Sequence, residues 1–297
     1  MTSLPASTAS ASAAAISGPS GRGSGLLGPH IADADDSESS LRSLAVQTWV
    51  LSGRQLSVWF RDRTTMLQSL IVPVISMVMF KVVLGDVIGR ATGQNSAYGT
   101  VPLVILLGSM FGSMAAGVRL NREAGSGLLA RLYVLPIHRV ADLLARVCAE
   151  LTRILLTTIM LLAGGYLIGF RLNQGVLPAL GIVVIAMVYG IAFSTMVLAL
   201  AVNSPPKAPL VPLLSLISTL LMFFNSGFAP ADSYPSWMRV IVENQPMSPA
   251  IEVMRALAAG GPITENLIKT LVWAALLITI FIYPSIRGYQ RAATRRG

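Results

Sequence analysis

The stretch Arg119-RLNREAGSGLLARLYVLPIHRVADLLAR-Arg146 decides how the chain is read. It is a long, charge-rich segment between two strongly apolar runs. Arg119, Arg122, Arg131, Arg139 and Arg146 face only Glu123 and Asp142. A charged side chain at a bilayer centre costs about 2.5–3.5 kcal/mol even on the gentler insertion scales. The segment therefore reads as a loop outside the lipid, and its basic excess marks the inner side of a membrane.

Composition agrees. The 297 residues are 54% hydrophobic and 12% charged, and mean hydropathy is +0.68. Soluble domains carry about 25% charged residues, so an integral membrane protein is expected. A formal charge of +9 would suit a nucleic-acid binder. Here the arginines flank apolar runs instead of lining one soluble face, which argues against nucleic acid. The single cysteine, Cys148, excludes an intrachain disulfide framework, and two histidines, His30 and His138, make a metal site unexpected.

Outward from the loop, the apolar runs suggest six spans, near 64–84, 96–118, 147–170, 176–202, 210–228 and 267–286. Each approaches the roughly 20 residues needed to cross a hydrocarbon core of about 30 Å. Lys81 can snorkel from the first span, and Glu150 and Arg153 fall in the first turns of the third, three apart and able to pair. The NSPPKAP sequence at 203–209 breaks the apolar run between spans four and five. Arg22, Arg42, Arg54, Arg61, Arg63, the loop arginines, Arg153, Lys207, Arg287, Arg291, Arg295 and Arg296 fall on one side. Lys81, Arg90, Arg171, Arg239, Arg255 and Lys269 fall on the other. That asymmetry places both termini in the cytoplasm.

Before the first span, residues 1–40 are Ser, Ala, Gly and Pro with an acidic patch at Asp33, Asp35, Asp36 and Glu38, and are expected to be a disordered cytoplasmic tail. Residues 41–63 mix Leu44, Trp49, Val50, Trp59 and Phe60 with Arg42, Arg54, Arg61 and Arg63. This suits an amphipathic helix on the inner surface with Trp49 and Trp59 at the interface; a plain flank of the first span would read the same way. Residues 229–266 are too polar to span and too apolar for a free loop. Trp237–Val242 and Pro249–Ala259 suggest two short helices dipping into the outer leaflet, or a small outer cap. Ser248 is the expected cap of the second, with Gly260 and Gly261 at its end. Residues 291–297 form a short basic tail.

The chemistry-bearing motifs are missing. None of the three lysines follows a glycine: Lys81 follows Phe80, Lys207 follows Pro206 and Lys269 follows Ile268. A Walker phosphate loop, which needs Gly-Lys, is therefore excluded. The mid-span polar residues are Ser, Thr and Asn, of the kind used for helix packing. The cargo is then expected to be apolar or amphipathic, and the energy to come from another chain.

Arg122, Glu123, Gly127, Leu129, Arg131, Leu132, Pro136 and Arg139 resemble the segment after the second span of ABC-2 type transporter permeases, roughly E-R-x-x-G-T-L-E-R-L-x-x-x-P-x-x-R. Asn244-Gln245-Pro246 and Met254-Arg255 resemble the outer re-entrant region of the same family. The likeness covers about 41–290 and is nearest to permease subunits of daunorubicin-resistance-type exporters, including actinobacterial ones that move complex cell-envelope lipids. It implies an all-α, six-span permease of a bacterial inner membrane. Such a permease works with a second permease, identical or related, and two copies of a separate ATPase that carries the ATP and magnesium. By resemblance, Glu123, Arg131, Leu132, Pro136, His138 and Arg139 belong to the coupling element that docks on the ATPase. Arg54, Trp59 and Arg61 belong to the interface helix, and Trp237, Asn244, Pro246, Met254 and Arg255 to the outer re-entrant region. Ala130 stands where the family often has Glu. An ATP-independent carrier or channel for a hydrophobic solute is the alternative.

Overall fold

The computed structural model describes residues 41–93, 95–129, 141–205 and 209–294. The acidic tail, Lys207, Arg295 and Arg296, and Arg131, Leu132, Pro136, His138 and Arg139 of the loop lie outside the described residues. Among those described, the regular structure is all helical: α1 (Leu41–Arg61), α2 (Arg63–Thr92), α3 (Ala97–Gly125), α4 (Ala141–Leu167), α5 (Val176–Asn203), α6 (Leu210–Phe223), α7 (Ser236–Asn244), α8 (Met247–Ala259) and α9 (Thr264–Thr294), with a 3-10 turn at Ala231–Ser233.

Four helices, α3, α4, α5 and α9, are long and apolar enough to cross a membrane by length and composition. Shorter apolar stretches are Ser69–Val83 within α2 and Leu210–Phe223, the whole of α6. At 1.5 Å per residue the 14 residues of α6 reach only about 21 Å, short of a bilayer core. Asn225 ends α6 before the apolar run is over. Its amide donates to the Leu221 carbonyl (3.2 Å) and also to that of Met222, and its side-chain oxygen accepts the Gly227 N–H (2.7 Å). One side chain thus satisfies two helix-end carbonyls and the turn that follows. Conversely, α2 runs past the apolar sequence, through Gly85 and Asp86 to Thr92, where a short loop was expected.

α3 is the axis. It packs against α2, α4, α5, α6 and α8, and 72% of its most apolar window is buried, against 11% for α9. Its sequence allows this because small residues let neighbours approach closely. A Cβ on Gly117 would lie 2.3 Å from Val197 Cγ1 of α5, and one on Gly99 would lie 2.2 Å from the Gly227 carbonyl oxygen. α9 lies mainly along α5, and α1 lies on α4. Exposed apolar side chains cover the outward faces of α2 (Val72, Ile75, Val78, Met79, Val82), α6 (Leu216, Leu220, Phe223) and α9 (Val272, Ile280), as a lipid-facing surface requires.

The hydrogen bonds sort the helix ends. At one end, Asn121 of α3 donates to the carbonyls of Ala201 in the last turn of α5 (2.8 Å) and of Ser204 just beyond it (3.1 Å), and Asn203 donates to the Pro284 carbonyl of α9 (2.9 Å). The basic loop leaves this end: Gly127 turns it with φ of 73°, and Leu129 packs back among Leu120, Ala201, Leu210 and Tyr289. At the opposite end, Asn95 donates to the Gly169 carbonyl (3.3 Å), the Asn173 N–H to that of Ala258 (3.1 Å), and Lys81 to Asn95 Oδ1 (2.8 Å) and Ser96 Oγ (3.3 Å). Lys81 therefore does reach along its helix to polar partners.

Candidate functional site

A line of polar residues climbs one face of α4. Asp142, Arg146, Glu150, Arg153 and Thr157 recur at spacings of three and four, the period of a single helical face. At the base, Arg146 donates from Nε to Asp142 Oδ2 (2.8 Å) and from Nη2 to Glu123 Oε2 on α3 (2.8 Å). The Tyr289 hydroxyl of α9 donates to the same Asp142 oxygen, with the Arg146 guanidinium 5.9 Å from the Tyr289 ring centre. Three helices are thereby joined where the basic loop begins and ends. Glu123, one of the loop residues named from the sequence, lies inside this junction.

Two turns higher, Arg153 binds Glu150 through two contacts, Nη2 to Oε1 (2.5 Å) and Nε to Oε2 (3.0 Å). It also donates to the Ser109 carbonyl of α3 (3.1 Å), and the Ser113 hydroxyl donates to Glu150 Oε1. Arg153 is 4% exposed and Glu150 7%. The pair was expected in the first turns of a span. In the structure α4 begins at Ala141, so Arg153 stands about 18 Å along a helix of about 40 Å. The physical reason is the junction below it: Asp142 and Arg146 find charged partners and can be helical there, which moves the start of α4 toward the loop. Gly112 provides the socket, because a Cβ there would lie 1.6 Å from Arg153 Nη1.

Two clefts open beside this line. One lies between α1, α3, α4 and α5; its walls include Gln55, Trp59, Arg119, Arg146, Glu150, Arg153 and Ser194. The other lies between α2, α3 and α6 and is lined by Asp62, Phe111, Met114, Arg119, Arg122, Val211 and Leu214. Arg119 is common to both.

The remaining residues named from the sequence are dispersed. On α1, Arg54 and Arg61 are exposed. Trp59 faces inward: it is 2% exposed, and its indole donates to Ser69 Oγ (3.2 Å) of α2, while Trp49 is 80% exposed. The side chains of α1 that meet α4 are shielded, and Trp59 is on that side. At the far end, Trp237 is exposed on α7 and Met254 is fully buried on α8. The Asn244 carbonyl accepts the Trp273 indole N–H (2.7 Å). Pro246 precedes α8 as its N-cap, and Arg255 is clamped on Glu252 (2.9 and 3.1 Å) and donates to the Ser226 carbonyl (2.8 Å). Ser248 does not cap α8. Its hydroxyl accepts the Ser226 N–H (3.1 Å) and the Gln245 amide (3.0 Å), which ties α8 to the turn after α6. The Tyr234 hydroxyl donates to the Asn225 carbonyl (3.0 Å), and burial pushes that phenol above its ordinary pKa. Tyr289, Gly112, Ser113 and Arg119 were not singled out as site residues from sequence. Only the four-residue spacing of Asp142 and Arg146 hinted at the junction.

A helical bundle with lipid-compatible faces and a polar, ion-paired seam rising from a basic loop defines an integral membrane protein of the transport type. Residues 46–258 match the family described as ABC-2 type transporter, and the chain belongs to it. It is 36% identical to a probable doxorubicin resistance ABC transporter permease protein, DrrC, of Mycobacterium tuberculosis, over 87% of this chain and 93% of that protein. A daunorubicin resistance ABC transporter permease protein, DrrB1, of Streptomyces coeruleorubidus is 26% identical over 74% of this chain and 77% of its own length. A putative transport permease, ycf38, of the alga Pyropia yezoensis is 23% identical over 72% and 75%.

Proposed function

We propose that this chain is the membrane-spanning permease subunit of an ATP-driven exporter that moves an amphipathic or apolar compound, a complex lipid or a hydrophobic drug, across a bacterial inner membrane. The spans are six, α2 and α6 among them, and both termini face the cytoplasm. A separate ATPase in two copies carries ATP and magnesium, and a second permease, identical or related, completes the path.

The observation that carries the reading is the junction of Glu123, Arg146, Asp142 and Tyr289. It connects the two ends of the basic loop to α9, so a force applied at Arg131 to Arg139 reaches three helices at once. Arg131 and Arg139 contact the ATPase by charge, Leu132 and Pro136 by shape, and His138 stands among them. α1, with Arg54 and Arg61 outward and Trp59 against the bundle, passes the same motion to α4. Names of relatives that refer to doxorubicin and daunorubicin support a hydrophobic cargo. The carrier alternative draws less support: the ionisable pair at mid-helix is already neutralised, Glu150 by Arg153.

The deciding experiment is gentle purification of the tagged chain from its own membranes, with co-purifying chains identified and ATP hydrolysis measured. An ATPase in about equal amount, with hydrolysis raised by lipids or hydrophobic drugs, is the expected outcome. Recovery of the chain alone, with transport driven by an ion gradient, would overturn it.

A further inference from the structure

At the loop end of the bundle, the guanidiniums withdrawn from solvent have carboxylates, with one exception. Arg146 has Glu123 and Asp142, and Arg153 has Glu150. Arg119, half-buried one turn before Glu123, has no salt bridge among the described residues. Its Nη1 is sealed from solvent with no hydrogen-bond acceptor. Glu123, Asp62 and Glu150 attract its charge from a distance and Arg146 repels it. Burying a guanidinium without an acceptor is unfavourable, so the position is built for an acceptor that arrives from outside the chain.

The surroundings specify that acceptor. Arg119 sits in the wall of the cleft between α2, α3 and α6, with exposed Arg122 at its side and Asp62 at the edge. Apart from Ser215, the rest of that wall is apolar, and Val72 of α2, Phe111 of α3 and Val211 of α6 present exposed side chains there. A ligand that fits has one negative head and an apolar tail long enough to lie along Phe111 and Val211.

We infer that Arg119 binds the phosphate of an anionic phospholipid that enters this cleft from the leaflet at the loop end, with its acyl chains against Val72, Phe111 and Val211. The inference rests on the proposed orientation of the loop end toward the cytoplasm, but not on transport. Its test uses no ATP and no cargo, so the two readings can fail separately.

The purified chain, with whatever subunits accompany it, is placed in phosphatidylcholine nanodiscs with or without phosphatidylglycerol, and retained lipid is counted by native mass spectrometry. Arg119→Gln is expected to weaken phosphatidylglycerol retention about tenfold, the loss of one charge-assisted contact. Arg119→Lys should retain most of it, and Arg122→Gln should lose less than Arg119→Gln. A photoactivatable phosphatidylglycerol on the unaltered protein should label α3 and α6 near Phe111 and Val211, which decides the matter even if Arg119→Gln does not fold. Equal retention by Arg119→Gln, labelling elsewhere, displacement of the lipid by inorganic phosphate, or equally tight binding of a cationic lipid would each overturn the inference.

Discussion

Gly112→Ala should act as though it removed Arg153. The added methyl would lie 1.6 Å from Nη1, 2.0 Å from Cζ and 2.6 Å from Nη2 of Arg153, so the guanidinium has to leave. Its departure breaks both contacts to Glu150 and the bond to the Ser109 carbonyl, and leaves a carboxylate that is 7% exposed beside one hydroxyl. Separating a buried pair in this way costs about 3–5 kcal/mol. The assay is unfolding of purified protein in mixed micelles of rising denaturing-detergent fraction, followed by helical circular dichroism. The test of mechanism is the cycle with Arg153→Ala. If the methyl acts only by evicting Arg153, it should cost little once Arg153 is absent, and the two substitutions should fall short of additivity by at least about 2 kcal/mol. Costs that add within about 0.5 kcal/mol would refute the socket and place the damage in α3 itself.

Tyr289→Phe removes the hydroxyl that ties α9 to Asp142 and should lower stability by about 1 kcal/mol in the same assay; no change would detach α9 from the junction. Arg131→Ala with Arg139→Ala should leave membrane insertion and yield intact but abolish export and its stimulation of ATP hydrolysis. Unchanged export in that double variant would end the coupling assignment. In protein that retains either Trp49 or Trp59 on α1, with the other and Trp237 and Trp273 changed to Phe, the emission of Trp49 should be quenched readily by acrylamide and that of Trp59 hardly at all. Equal quenching would contradict the burial of Trp59.

Much of the molecule is legible in the sequence because a bilayer makes hydropathy an unusually direct signal. Apolar runs between charged segments locate α3, α4, α5 and α9, and Gly260 marks the end of α8. The less legible features are those in which one side chain overrides the run it belongs to. Asn225 ends α6 early although the residues around it are apolar. Asp142 and Arg146 are charged, which reads as loop, yet they are helical because partners on α3 and α9 neutralise them. That in turn moves Glu150 and Arg153 from a helix end to its middle. No hydropathy pattern separates Trp49 from Trp59, since both lie on a mixed apolar and basic helix, and only the packing of α1 against its neighbours, with Ser69 of α2 accepting the Trp59 indole N–H, distinguishes them. Arg119 read as one topological charge among several, because a missing partner is a property of three-dimensional neighbours alone.

The placement of α1 against α4 also has a consequence for the newly made chain. α1 ends at Arg61, and its docking surface starts at Ala141. At about 5–20 residues per second, a ribosome needs roughly 4–16 s to make the intervening 80 residues. During that interval the indole of Trp59 has no α4 to lie against, and α1 rests on the membrane surface or on the insertion machinery. α1 therefore reaches its final position only after α2 and α3, which follow it in the chain, have been made. A ribosome stalled before α4 should leave α1 open to protease, whereas one stalled after Leu167 should protect it.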